Sequence, residues 1–248
     1  VHLKEHEYIK KFGLFKLKAQ IGNTKSNKTG FFNSPYSICS FDDKLYIADH
    51  GNDRIQVFSK YVLKHLFTIE SINVSGISVL KNSDIVITSF EEECLKVISE
   101  NKDSRKCNTV EFAKKKWKVK NIGRYGTSKK LEFNGPFGCA NNRFTNTVII
   151  SDSCNHRVQV LNQEMQFLFQ FGKFGKRDGE FEYPEGECCS PVNGDIIVSD
   201  RGNNRVQIFD KNGKYKSKIG DDDDTPKGLN GPIGVACDLK DRVYVCDT

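Results

Sequence analysis

A chain of 248 residues is long enough for one large all-β domain or two smaller domains. With 37% hydrophobic residues, 20 glycines and 11% aromatics, its composition suits many short strands joined by tight turns better than long helices. There is no apolar run long enough for a membrane helix, Val1-His2-Leu3-Lys4 does not resemble a signal peptide, and the net charge of +6 is modest for this size.

In chain order, His6-Glu7-Tyr8-Ile9-Lys10-Lys11-Phe12-Gly13 and the following Ala19-Gln20-Ile21-Gly22 match the later segments Val206 to Gly213 and Lys216 to Gly220. Five apolar strands then end in Asp or its equivalent: Leu45 to Asp49, Ile85 to Ser89, Val148 to Asp152, Ile196 to Asp200 and Val243 to Asp247. Their spacings are 40, 63, 48 and 47 residues. About a dozen residues before each stands Pro-x-Gly or a relic of it: Pro35-Tyr36-Ser37, Val74-Ser75-Gly76, Pro136-Phe137-Gly138, Pro184-Glu185-Gly186 and Pro232-Ile233-Gly234.

Each copy reads as four strands: a after Pro-x-Gly, b ending in Asp, c beginning at an Arg, and d ending before Gly22, Gly123, Gly172 or Gly220. A four-stranded unit of this period predicts an all-β fold, a β-propeller of antiparallel blades. The small residues of strand a suit the axis, where sheets converge. The chain starts with strands c and d of a blade and ends after a and b of another. The two halves either unite into a fifth blade or belong to a larger ring, and closure removes edge strands. We expect one domain over residues 1–248, and the lack of an initiating Met suggests a piece of a longer chain.

The nine cysteines are expected within strands rather than loops; Cys39, Cys139 and Cys188 occupy sites where other copies carry Ala or Val, and Cys246 takes the place of Ala48. They read as small buried hydrophobes in a reduced, cytoplasmic protein, with no zinc-like spacing. Neither metal nor cofactor is expected. Asn27-Lys28-Thr29 and Asn73-Val74-Ser75 match the glycosylation pattern, as chance often provides. The residues from Ser99 to Lys116 form an insertion between strands c and d, read as a solvated loop with Trp117 anchoring strand d.

Because the strands are antiparallel, the b-to-c turns and d-to-a loops share one face. Three b-to-c turns carry Asn52-Asp53-Arg54-Ile55-Gln56-Val57-Phe58, Asn155-His156-Arg157-Val158-Gln159-Val160 and Asn203-Asn204-Arg205-Val206-Gln207-Ile208-Phe209. These segments resemble the NHL repeat, and the likeness covers residues 6–248. The second copy departs from it, with Glu91-Glu92-Glu93-Cys94 in the turn, and the fifth stops before its motif. The chain looks most like the C-terminal NHL domains of tripartite-motif (TRIM) proteins. That resemblance implies a propeller, usually six-bladed, binding single-stranded or hairpin RNA or partner proteins on its top face.

The repeated Arg54, Arg157 and Arg205 have two readings. They either pair with the preceding Asp as structural staples or leave guanidinium edges exposed for phosphate. The non-repeating turn residues His50, His156 and Arg201 are better binding candidates. Tyr36 and Phe137, between Pro and Gly, either plug the axis or stack on unpaired bases. The d-to-a loops add Lys25 and Lys28; Arg124, Tyr125, Lys129 and Lys130; and Lys173, Phe174, Lys176 and Arg177. Basic residues interleaved with aromatics make a track for single-stranded RNA. Glu91–Glu93 and the run 221–224 would repel phosphate, which favours the sector of the first, third and fourth copies. The expected function is non-catalytic recognition of RNA in post-transcriptional regulation. The alternative is a protein-interaction platform on the same face, such as substrate recognition for a TRIM-type ubiquitin ligase. Neither a membrane nor a small-molecule substrate is expected, since no nucleophile-base pair or phosphate-cradling loop occurs.

Overall fold

The structure, a computed structural model, describes residues 19–22, 25–70, 72–101, 117–220 and 228–248. Four complete sheets follow one another, each with strands in the order a-b-c-d. The first comprises Pro35–Phe41, Lys44–Asp49, Arg54–Ser59 and His65–Glu70. The second comprises Ile77–Val79, Ile85–Ser89, Cys94–Glu100 and Trp117–Ile122. Pro136–Asn142, Thr147–Asp152, Arg157–Asn162 and Phe167–Phe171 make the third. Pro184–Cys189, Ile196–Asp200, Arg205–Phe209 and Tyr215–Ile219 make the fourth. Gly234–Cys237 and Val243–Cys246 pair as strands a and b of a fifth. The expected β-propeller is therefore observed, with four full blades. Residues 6–18, 102–116 and 221–224, on which strand, insertion and acidic-loop expectations rest, lie outside the described residues.

Strand b explains why the blades stack. Successive side chains point to opposite faces of a sheet, so Ile85 and Ile87 pack toward the first blade while Val86 packs toward the third. Likewise Val148 and Ile150 join the core shared with the second blade, and Ile149 the core shared with the fourth. A sheet buried on both faces needs an unbroken apolar run rather than an alternating one, and that is what these strands carry. The second blade folds in this way although its turn lacks the repeated motif.

Near the axis the strands a approach closely. A Cβ added to Gly76 would stand 2.6 Å from the carbonyl oxygen of Phe137 in the next blade. Gly138 meets Glu185 O in the same way, and Gly186 meets Ile233 O. The Gly of Pro-x-Gly is therefore set by the middle residue of the following Pro-x-Gly. Hydroxyls on strand b tie the same seam: Thr88 Oγ1 donates to Phe137 O at 2.5 Å and Ser199 Oγ to Ile233 O at 2.7 Å. Gly76→Ala is expected to lower stability by about 1–3 kcal/mol through overpacking, measurable as a shifted denaturation midpoint with unchanged slope.

Candidate nucleic-acid interface

The three repeated turns are built around a buried carboxylate. Asp49, Asp152 and Asp200 close strand b directly opposite Arg54, Arg157 and Arg205, which open strand c. Between them a single 3-10 turn ends at a left-handed residue, Asp53, His156 or Asn204. Each Arg donates Nε–H to its Asp at 2.7–2.8 Å. Other guanidinium hydrogens go to carbonyls of the d-to-a loop that leads into the same blade, and Arg157 Nη1 also donates to Gln170 Oε1 on strand d. Arg54 reaches Asn27 O, Lys28 O and Phe31 O; Arg157 reaches Lys129 O and Glu132 O; Arg205 reaches Arg177 O and Glu180 O. Gln56, Gln159 and Gln207 close the network, donating to Phe31 O, Glu132 O and Glu180 O as well as to the Asp. Asp49 Oδ1, Asp152 Oδ1 and Asp200 Oδ1 also accept from the backbone N–H of Asn33, Asn134 and Glu182. The fifth strand b repeats this bond, with Asp247 accepting from Asn230 N–H at 2.7 Å.

The guanidinium groups thus fasten the loops that carry the basic residues. At 5%, 5% and 2% exposure, Arg54, Arg157 and Arg205 present no free edge to a phosphate. The staple reading stands for all three, and their expected role as RNA contacts gives way to it. The second blade substitutes a different set. Ser89 Oγ donates to Asn73 Oδ1, and the buried Lys96, at the Gln position of the register, pairs with Glu92.

Two clusters of rings stand on this face. At the axis, Tyr36 stacks on His50 with centroids 4.3 Å apart and planes 10° from parallel, and on Phe137 at 5.5 Å. Tyr36 belongs to the first blade and Phe137 to the third; the second contributes only the small, buried Ser75 at this level. His50 donates Nδ1–H to Val74 O at 3.0 Å. Farther round, His156 contacts Phe174 at 4.9 Å and Tyr183 at 4.8 Å, both rings being largely exposed. Tyr125 is also exposed, at the place in its loop that Phe174 holds in the next.

Charge surrounds these rings. Arg124 lies 3.3 Å from Glu132 and Lys173 lies 3.4 Å from Glu180, but at 73% and 76% side-chain exposure both cations remain available. The two glutamates are anchored from within their loops by backbone N–H groups of Lys129 and Arg177, which hold their carboxyls below the ordinary range. Arg201 pairs with Glu185 at 2.9 Å on the far side of the axis, while burial pushes the Glu185 carboxyl up. Over the second blade the acids are engaged: Glu91 accepts from Asn73 Nδ2 and Glu93 from Gly135 N–H.

The NHL repeat family matches residues 181–209, a span containing Asp200, Asn203, Arg205 and Gln207 of the fourth blade. Protein brain tumor of Drosophila melanogaster is 36% identical over 127 residues, covering 51% of this chain and 12% of that protein. This chain is a β-propeller that carries an NHL repeat in its fourth blade. It resembles the NHL domains of TRIM-NHL proteins, although it spans only a small part of the relative's length. Among solved structures, catalytically inactive virginiamycin B lyase from Staphylococcus aureus, with quinupristin, aligns at 12% identity and TM-score 0.61, covering 93% of this chain and 68% of that one. An auxiliary nutrient binding protein from Bacteroides thetaiotaomicron aligns at 13% identity and TM-score 0.60, covering 86% and 56%. At such identity these likenesses show the propeller fold alone.

Within the propeller, the expected residues divide into two groups. Tyr36, His50 and Phe137 come together at the axis, whereas Arg124, Tyr125, His156, Lys173, Arg177 and Arg201 lie on the turns and loops around it. Sequence reasoning missed the repeated Gln and Tyr183. The Gln recurs two positions after every motif Arg, which was its signal. Tyr183 stands before Pro184 where two other blades carry Gly135 and Gly231. The cysteines fit their expected role only in part: the eight described are free, but only Cys94 and Cys139 are buried, which pushes their thiols up, while Cys154 lies in a turn and Cys246 is exposed. Among the described residues no helix is long and apolar enough to cross a membrane.

Proposed function

We propose that this propeller is a non-catalytic module that binds single-stranded RNA on the face of the b-to-c turns and d-to-a loops. The observation that carries this reading is the ring stack Phe137–Tyr36–His50 at the axis, with Tyr36 48% exposed. A filled channel would hide such rings, whereas a flat, open aromatic surface accepts any unpaired base. The clamped loops supply cations for the phosphates from Arg124, Lys173, Lys176 and Arg177. Histidines at the turns (His50, His156) and on strand d (His65), rather than on any described strand a, favour recognition over axial metal chemistry. We place the module in the cytoplasm and treat residues 1–248 as one domain.

Fluorescence anisotropy with short labelled RNAs tests this. Tyr36→Ala should weaken binding by roughly 1–3 kcal/mol, as loss of one stacked base does, and added salt should weaken it steeply. Affinity unchanged by Tyr36→Ala would refute the axial site. The second reading, a protein platform, is favoured by Glu91–Glu93 and the exposed Phe90 on the second blade. It predicts no enrichment of any RNA from a random pool.

A further inference from the structure

The seams between blades are not filled alike. On strand d, the residue opposite a core aliphatic of strand c turns toward the next blade. In the first blade this residue is Phe67, opposite Val57, and in the third it is Phe169, opposite Val160. Both rings pack into the cores of their seams. In the second blade the same place, opposite Val97, carries the exposed Lys120. An unpaired ammonium turns out of an apolar core toward water. The outer half of the seam between the second and third blades therefore lacks its ring.

In place of the ring there is a groove of about 740 Å³. It runs from strands c and d of the second blade to the c-to-d turn of the third, at the end of the sheets opposite the repeated turns. Its floor is apolar, made by Val97, Ile122 and the buried Met165. Alternate residues of a strand share a face, so Lys118, Lys120 and Ile122 form one row along the groove. Lys81 joins them from the a-to-b turn of the same blade. Lys81 and Lys120 are exposed, and neither is ion-paired among the described residues. On the opposite wall Gln163 donates Nε2–H to Asn141 Oδ1 at 3.2 Å, which leaves its Oε1 free to accept. Strand d is the outermost strand of its sheet, and its outer edge pairs with no other strand among the described residues. An extended peptide can add to such an edge and turn alternate side chains into an adjoining groove.

From this geometry we infer that the groove is a binding site for an extended peptide of a partner protein, one with two acidic residues and one aliphatic residue at alternate positions. The acids meet Lys118 and Lys120, and the aliphatic side chain covers Ile122 and Val97, where the other seams have their ring. Lys81 strengthens the field that draws the acids in. A peptide suits the site better than nucleic acid does. None of the described lining residues has a ring to stack on a base, and Asp84 and Glu164 oppose phosphate. The inference does not depend on the RNA reading, because the two sites stand at opposite ends of the strands.

Selection of a displayed random-peptide library on the 248-residue chain tests this. Enriched peptides should carry two acidic residues and an aliphatic one at alternate positions, and their affinity, read by fluorescence anisotropy, should fall with added salt. Lys120→Phe copies the filling of the seams on either side, so it should unfold at a denaturant concentration no lower than wild type. It should nonetheless bind the selected peptides at least about tenfold more weakly. Lys120→Glu keeps the groove open and reverses its charge, so it should weaken them as much whatever the packing of a new ring. The site is overturned if selection enriches no acidic pattern. It is equally overturned if both variants bind the selected peptides within about twofold of wild type, as expected of an exposed charge that contributes nothing.

Discussion

Arg205→Ala is expected to lower the free energy of unfolding by about 3–5 kcal/mol, the range for removing one partner of a buried ion pair. Arg205 is 2% exposed and its Nε–H donates to Asp200 Oδ2 at 2.7 Å. Its Nη2 holds Arg177 O at 2.8 Å and Glu180 O at 2.9 Å. The pair is not strongly stabilising in itself. Burial raises the Asp200 carboxyl pKa and outweighs the opposing effect of the Arg205 charge. Removing Arg205 is therefore damaging because it leaves a buried carboxylate without its cation and two loop carbonyls without donors. Arg205→Lys should recover only a minor part of the loss, since an ammonium cannot span the Asp and both carbonyls as the planar fork does. Denaturant unfolding at pH 7 reads the loss, which should shrink at pH 4, where Asp200 can take up a proton. A loss below about 1 kcal/mol, within the range of an exposed pair, would sink the staple reading. The same variant should weaken RNA binding although Arg205 touches no ligand, because the loop it fastens carries Lys173 and Arg177.

That division between fastening and contact was only partly legible in the sequence. Repetition of Asp, Asn and Arg at fixed spacing identified the turns and the face, and the strand runs such as Val148 to Asp152 announced sheets buried on both sides. Repetition also signals a residue whose partners recur, and a loop carbonyl recurs in every blade while a ligand does not. By that logic Gln56, Gln159 and Gln207, each fully buried, belonged to the staple from the start. What could not be read were contacts between blades. Tyr36 meets Phe137 only because two non-neighbouring strands a converge over the small Ser75, a matter of ring curvature. The second blade hid its turn for a related reason. Its Asp–Arg pair is replaced by Ser89–Asn73 and Lys96–Glu92, a different chemistry in the same register.

Glu187→Gln is expected to stabilise the protein above pH 8 by about 2–4 kcal/mol, a figure set by a shift of several pKa units at 1.36 kcal/mol each, reduced for partial accessibility. Glu187 lies on strand a of the fourth blade, where Ser151 of the third donates Oγ–H to its Oε2 at 2.5 Å. Equivalent hydroxyls on Thr88 and Ser199 bind the next blade's backbone, so here a carboxyl has taken that place. Its Oε1 is buried with no partner, although the residue as a whole is half-buried. Burial raises the pKa from 4.5 to about 8, with only the Ser151 hydroxyl opposing. The neighbouring groups are the Cys139, Cys188 and Cys189 thiols, none of them a cation. A folded-state pKa above the unfolded value means the folded protein keeps a proton that the unfolded chain loses. Stability from this group is therefore complete below pH 4.5 and falls as pH rises to about 8, after which the deficit is constant. Gln preserves a partner for Ser151 and cannot ionise, so the variant's stability should vary less across this window and match wild type near pH 4.5. His156 acts in the opposite direction: its lowered pKa removes stability as pH falls below the usual histidine range. The difference between the two curves isolates Glu187, because His156, Glu185 and Asp200 are common to both. Parallel curves from pH 5 to 9 would show that Glu187 is ionised in the folded state, with water or a cation reaching Oε1.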